Sequence, residues 1–206
     1  MLVLAGEWVP PIRSAIENPG RAEVKKVKID SRDITSIAVF SSLYVVINLV
    51  QAATVGNPAV SGPVQLRVSD CLIPLTALLG WPVLVGVTFG CAITNLYAFI
   101  DPIDVLLGPI ANLIAAGLVL ILRRHQLVAC IVAAFPIGII VGGGYLWWFF
   151  APPEFFGLSL PAWMAMMSSI TLSSLITTAV IGYALLKLLS RPEMIEPLKS
   201  LGLKVH

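Results

Sequence analysis

Charge is scarce in this chain. Only 12% of its 206 residues are Asp, Glu, Lys or Arg, where a soluble domain carries about 25%. Hydrophobic residues make up 58% and the mean hydropathy is +0.94, so the chain reads as an integral membrane protein. A formal net charge of +2 without a long basic tract gives no reason to expect a nucleic-acid partner. Cysteine is sparse as well. Cys71, Cys91 and Cys130 stand singly in apolar runs, without the spacing of a metal site or a disulfide framework, and read as small buried hydrophobes. The opening MLVLAGEWVPP has no basic flank and only a brief apolar run, so no signal peptide is expected.

Catalytic signatures are missing too. There is no Walker motif, no zinc signature and no glycine-rich dinucleotide fingerprint. His125 adjoins Arg123 and Arg124, and neither it nor His206 has a plausible nucleophile or carboxylate partner. Gly142-Gly143-Gly144 lies inside an apolar run, where small residues let helices approach closely, and is no phosphate loop. The expectation is a non-enzyme without a cofactor. If it moves a solute, its energy comes from an ion gradient or from another protein.

What the chain does contain is a series of apolar runs, and a helical bilayer span needs about 20 such residues. The first runs from about Ile34 to Ala53, behind a basic cluster at Lys25, Lys26, Lys28 and Arg32. The second, about Ser69 to Leu79, is short and contains Pro74. Gly80-Trp81-Pro82 punctuates the chain, and the third span continues to about Phe99. Asp101-Pro102-Ile103-Asp104 is a helix start: Asp101 can cap, Pro102 suits the first turn, and Asp104 stands near the free backbone N–H groups. The fourth span ends at Arg123-Arg124-His125, the fifth covers about Leu127 to Phe149, and the sixth runs from Ala162 to about Leu189. The expected fold is all-α: a polytopic membrane protein forming a compact bundle of six transmembrane helices. Residues 1–33 form a polar preface, 34–190 the membrane domain and 191–206 a tail.

Lys and Arg set the expected orientation. Six precede the first span, two lie between spans four and five, and four sit at or beyond the end of span six, leaving only Arg67 on the other side. By the positive-inside rule both termini are cytoplasmic, in a multi-pass protein of the cell membrane. Trp147, Trp148 and Trp163 then fall at the outer interface and Trp81 at an inner turn, as aromatic belts do.

The polar residues on the outer side form the candidate site. They are Gln65, Arg67, Asp70, Asp104 and Glu154, with Asn95 and Tyr97 near the end of span three and Asn112 deeper in span four. Trp147 and Trp163 can offer a stacking surface. In VQLRVSD polar and apolar residues alternate, which predicts an extended lead-in crossing the mouth of the bundle before Asp70 starts a short helix. Ionisable groups at membrane depth are expensive and usually serve a site. The plainer alternatives are an Arg67–Asp70 pair, helix capping by Asp101 and Asp104, and interhelical bonds from Asn95 and Asn112.

The runs GPVQLRVSDCLIPLTALLGWPVLVGVTFGCAITNLY and DPIDVLLGPIANLIAAGLVLILRR resemble the QueT family. The likeness covers about residues 34 to 190. It rests on Arg67, Ser69 and Asp70, on Gly90 with Asn95, and on Asp104 with Gly108. The family consists of small substrate-capturing (S) subunits of energy-coupling-factor (ECF) transporters. The resemblance implies a six-helix bundle that binds a 7-deazaguanine precursor of queuosine (preQ0, preQ1 or queuine) on its extracytoplasmic side. It also implies a membrane coupling protein and two ATPase subunits as partners. Members dock their first helix on the coupling protein through small residues, and Ala38 and Ser42, with Ser41 beside them, match that position. Where the family's last helix usually carries a glycine–glutamate pair, this chain reads ITLSSLITTAVIG, with Ser173 and Ser174. Either Asp70 or Asp104 takes over as the carboxylate acceptor, or the ligand is a related precursor or another compound. Two other function classes stand beside this one: a self-sufficient, gradient-driven secondary transporter, and a membrane scaffold or assembly protein.

Overall fold

The computed structural model describes residues 29–55, 66–98, 101–151, 160–200, 203 and 205. Among them every regular element is helical: α1 (Ser31–Val55), α2 (Val68–Leu79), α3 (Trp81–Ala98), α4 (Pro102–Ile121), α5 (Gln126–Phe149), α6 (Ala162–Leu189) and a short α7 (Pro192–Ser200). Four of them, α1, α4, α5 and α6, have 25, 20, 24 and 28 residues and are long and apolar enough to cross a membrane. The chain is therefore an all-α, polytopic membrane protein. The other two apolar helices, α2 and α3, are shorter. Six spans are expected from the apolar runs, the second of them short; among the described residues four helices have spanning length, and α2 ends at Leu79, before Gly80, where the sequence places the break.

That split has a local cause. Over Val68–Leu75 the chain winds as a 3₁₀ helix, with Pro74 inside, and only Thr76–Leu79 is α-helical. Gly80 then takes φ 77° and ψ −157°, a conformation that side chains with a Cβ avoid, while its N–H bonds Thr76 O at 3.0 Å. Trp81 starts α3 at once, so α2 and α3 turn back on each other with no intervening loop.

Close approach of helices is built on glycine. A Cβ on Gly86 would lie 2.8 Å from Phe40 Cβ, and one on Gly90 only 2.6 Å from Tyr44 Cβ. Rising residue numbers thus match along both helices, so α1 and α3 run in the same direction. Gly142 of α5 likewise abuts the backbone of Met166 and Met167 on α6. Such contacts hold helices together in lipid, where dispersion does the work that water would otherwise drive.

Both α5 and α6 widen to π winding partway, over Gly138–Leu146 and Ile176–Gly182. In α5 this follows Pro136, which cannot supply a backbone N–H. In α6 the Thr177 and Thr178 hydroxyls turn back on the Ser174 carbonyl, at 3.1 and 2.7 Å, a pattern that loosens helices. Thr178 also reaches Cys130 O of α5 at 2.8 Å, tying the two helices together.

At the amino-terminal end α1 begins at Ser31, ahead of the apolar run. Asp33 accepts from Asp30 N at 3.1 Å and Asp30 accepts from Ser31 N at 2.7 Å, a carboxylate cap on the free N–H groups. The tail expected after residue 190 contains α7, and Leu203 and Val205 pack against the core.

Candidate functional site

Polar side chains from five helices meet inside this apolar bundle. Tyr44, fully buried on α1, donates its hydroxyl to Asp70 Oδ1 of α2 at 2.8 Å and accepts from Asn112 Nδ2 of α4 at 3.0 Å. Tyr145 of α5 donates to Asp104 Oδ1 of α4, and Asn95 Nδ2 of α3 donates to the Asp104 carbonyl at 2.9 Å. All six side chains are buried, Asp70 at 1% and Asp104 at 2% exposure. Each carboxylate is therefore held at one oxygen by a tyrosine from another helix and retains further acceptor capacity.

Among the described residues, Arg67 is the cation that the electrostatics of this carboxylate pair include. Its Nη1 lies 3.8 Å from Cys91 Sγ, and its guanidinium interacts electrostatically with both Asp70 and Asp104. The backbone that brings it there is fixed from α1: Gln51 accepts from Val68 N at 3.0 Å through Oε1 and donates to the Leu66 carbonyl through Nε2. Arg67 itself is extended, with φ −91° and ψ 96°, before the helix starts at Val68. Two carboxylates, an arginine, two carboxamides and two phenols in one low-dielectric place can hold a small polar molecule by directional hydrogen bonds.

Gly108 makes one of these contacts possible, because a Cβ there would collide with the Asn95 carboxamide. Asp101 caps α4, accepting from Ile103 N at 2.8 Å, with Pro102 in the first turn. Asp104 goes beyond capping, since its side chain faces Tyr145 across the bundle.

Arg67, Asp70, Asn95, Asp104 and Asn112 thus come together. Trp147 is half-buried and bonds Gly143 O of its own helix at 3.1 Å. Tyr97 is 77% exposed and Trp163 is 42% exposed, unlike the buried side chains of this cluster. Gln65 and Glu154 lie outside the described residues. Ser173 and Ser174 are buried on α6, and the Ser173 hydroxyl bonds Ile170 O at 3.0 Å. Tyr44, Tyr145, Cys91 and Gln51 complete the cluster without standing out in the sequence. The usable signal is a tyrosine in mid-span, since a buried phenol needs a hydrogen-bond partner.

On α1, Ala38 and Ser42 are exposed and line an apolar groove of about 460 Å³ with Val39, Leu43 and Val46. Ser41 does not share that face. It is buried with Phe40 and Tyr44, beneath Gly86 and Gly90 of α3, because one residue's step turns a helix position by about 100°. Among the described residues no group of three or more His, Cys, Asp or Glu could hold a metal ion.

No solved structure matches the chain. A protein of Lactococcus lactis subsp. cremoris (strain MG1363), named Queuosine precursor transporter QueT, is 35% identical over 101 residues. That stretch covers 48% of this chain and 56% of the relative, so the match spans little more than half of the curated protein's length. The family model described as QueT transporter matches residues 34–191, from within α1 to just past α6. The chain belongs to the QueT transporter family.

Proposed function

We propose that this chain is the substrate-capturing subunit of an energy-coupling-factor transporter and binds a queuosine precursor, a 7-deazaguanine such as preQ0, preQ1 or queuine. The observation that carries it is the cluster of buried Asp70, Asn95, Asp104 and Asn112 with the partly buried Arg67, in a chain of the QueT transporter family. A deazaguanine is flat and presents several N–H donors with a carbonyl acceptor. A carboxylate can accept two such donors at once, and a guanidinium or carboxamide can donate to the carbonyl. Asp70 and Asp104 take the place of the acid that Ser173 and Ser174 do not supply.

In this proposal all six apolar helices cross or enter the bilayer, with both termini cytoplasmic and the site open to the outside. Energy comes from two ATPase subunits through a membrane coupling protein, and the exposed Ala38–Ser42 face of α1 is the docking surface. The family assignment is to a transporter and not an enzyme.

Calorimetry on the purified chain, without ATP or partners, tests the capture step. We expect micromolar or tighter binding of a 7-deazaguanine and at least tenfold weaker binding by Asp70→Ala, the loss of one charge-assisted hydrogen bond worth about 1.5–3 kcal/mol. Absence of heat with every deazaguanine removes the substrate class. Unchanged affinity in Asp70→Ala removes only that residue's role. Uptake by the chain alone in proteoliposomes, driven by a proton or sodium gradient, would replace the energy-coupling proposal with a secondary transporter.

A further inference from the structure

At the end of the bundle away from the polar cluster, the turn between α4 and α5 separates two grooves. One, of about 490 Å³, is lined by Arg124, His125, Leu127, Val128, Tyr183 and Lys187, among others. The second, of about 510 Å³, is lined by Trp81, Ile121, Arg123 and again Arg124, among others. No acidic residue lines either groove. Arg123, Arg124, His125 and Lys187 are exposed, and Lys187 Nζ is held 5.5 Å from the centre of the Tyr183 ring. The first-turn N–H groups of α5 belong to groove-lining residues and have no helical acceptor by position.

Immediately beside this cationic rim the surface turns apolar. Ile121 is 77% exposed, and Leu127, Val128 and Leu188 are also large exposed hydrophobics. Free phosphate complements the basic rim alone. A phospholipid complements both parts, with phosphate on the arginines and acyl chains along the aliphatic side chains, and Trp81 is of the type that settles at the headgroup level.

We propose that these paired grooves bind the phosphate of an anionic phospholipid, with Arg124 shared between them and Lys187 closing the α6 side. The site is separate from the Arg67–Asp104 cluster and does not depend on which solute that cluster binds.

The test uses the full chain in vesicles of phosphatidylcholine doped with brominated phosphatidylglycerol, compared with brominated phosphatidylcholine at the same level. Tryptophan emission should be quenched more strongly by the anionic lipid, and Trp81→Phe should remove that excess. In detergent, the Arg124→Gln/Lys187→Gln double variant should lose affinity for phosphatidylglycerol by about tenfold, with an unchanged unfolding midpoint. Arg124→Lys should retain most of the affinity. Equal quenching by the two lipids overturns the proposal. So does full displacement by millimolar inorganic phosphate, which would make this a free-anion site. A double variant that keeps its lipid but no longer copurifies with another membrane protein would make the rim a protein contact, and the lipid proposal would fall.

Discussion

Tyr44 Oη makes two hydrogen bonds at once, to Asp70 and from Asn112, and so links three helices through one oxygen. Tyr44→Phe keeps the ring's packing and removes only that oxygen, so buried Asp70 and Asn112 each lose one hydrogen-bond partner. A buried polar group left short of a partner costs about 1–3 kcal/mol. Thermal unfolding in detergent should show a clearly lower midpoint, and Tyr145→Phe should act similarly through Asp104. Gly108→Ala attacks the cluster from the other side, because the new methyl group occupies the space of the Asn95 amide. It should displace that amide from the Asp104 carbonyl and weaken ligand binding several-fold in calorimetry. A binding isotherm identical to wild type would show that Asn95 is not coupled to the ligand.

The α2–α3 turn and the α5–α6 contact are settled by single glycines at the scale of whole elements. Gly80 combines a positive φ with a sharp reversal, so Gly80→Ala should destabilise the protein by about 1–3 kcal/mol, the usual strain of a residue held in a sparsely populated region. Gly142→Ala meets two backbone atoms of α6, Met166 O and Met167 Cα, both at 2.8 Å. Backbone cannot swing aside as a long side chain can, so α5 and α6 must separate. A loss of about 1–3 kcal/mol is expected from such overpacking, read as a lower unfolding midpoint. Gly144 is the control: a methyl group there would have only Ile139 O nearby, at 3.8 Å, and Gly144→Ala should be close to neutral.

For the molecule as a whole, the proposed function assigns the two faces of α1 separate duties. Ala38 and Ser42 border an exposed apolar groove, while Ser41 and Tyr44 face inward. Ala38→Trp or Ser42→Trp should leave ligand binding nearly intact and abolish copurification with the coupling protein. Ser41→Trp has no space beneath Gly86 and Gly90, so it should fail to fold or lose ligand binding along with assembly. A Ser42→Trp variant that assembles normally would move the docking surface elsewhere on the bundle.

The helices themselves were legible because composition dictates them. A chain with so little charge has to satisfy its backbone inside each segment, and in lipid that means helices. The Asp101-Pro102 start of α4, the Gly80 break and the polarity of residues 65–70 could be read directly, since caps and breaks depend on a few neighbouring residues. Arg67, Asp70, Asn95, Asp104 and Asn112 could be named by their rarity in apolar surroundings. Their partners could not, because Tyr44 lies 26 residues from Asp70 and 68 from Asn112 along the chain, and no local pattern records such a distance. Nor could periodicity alone say which side of α1 faces inward, that of Ser41 or that of Ala38 and Ser42. All three are small, and small residues suit close packing on a protein partner as well as on the chain's own helices, so side-chain chemistry does not distinguish the two faces. That choice belonged to the tertiary structure: Gly86 and Gly90 draw α3 onto one side of α1, and whatever lies beneath them becomes interior.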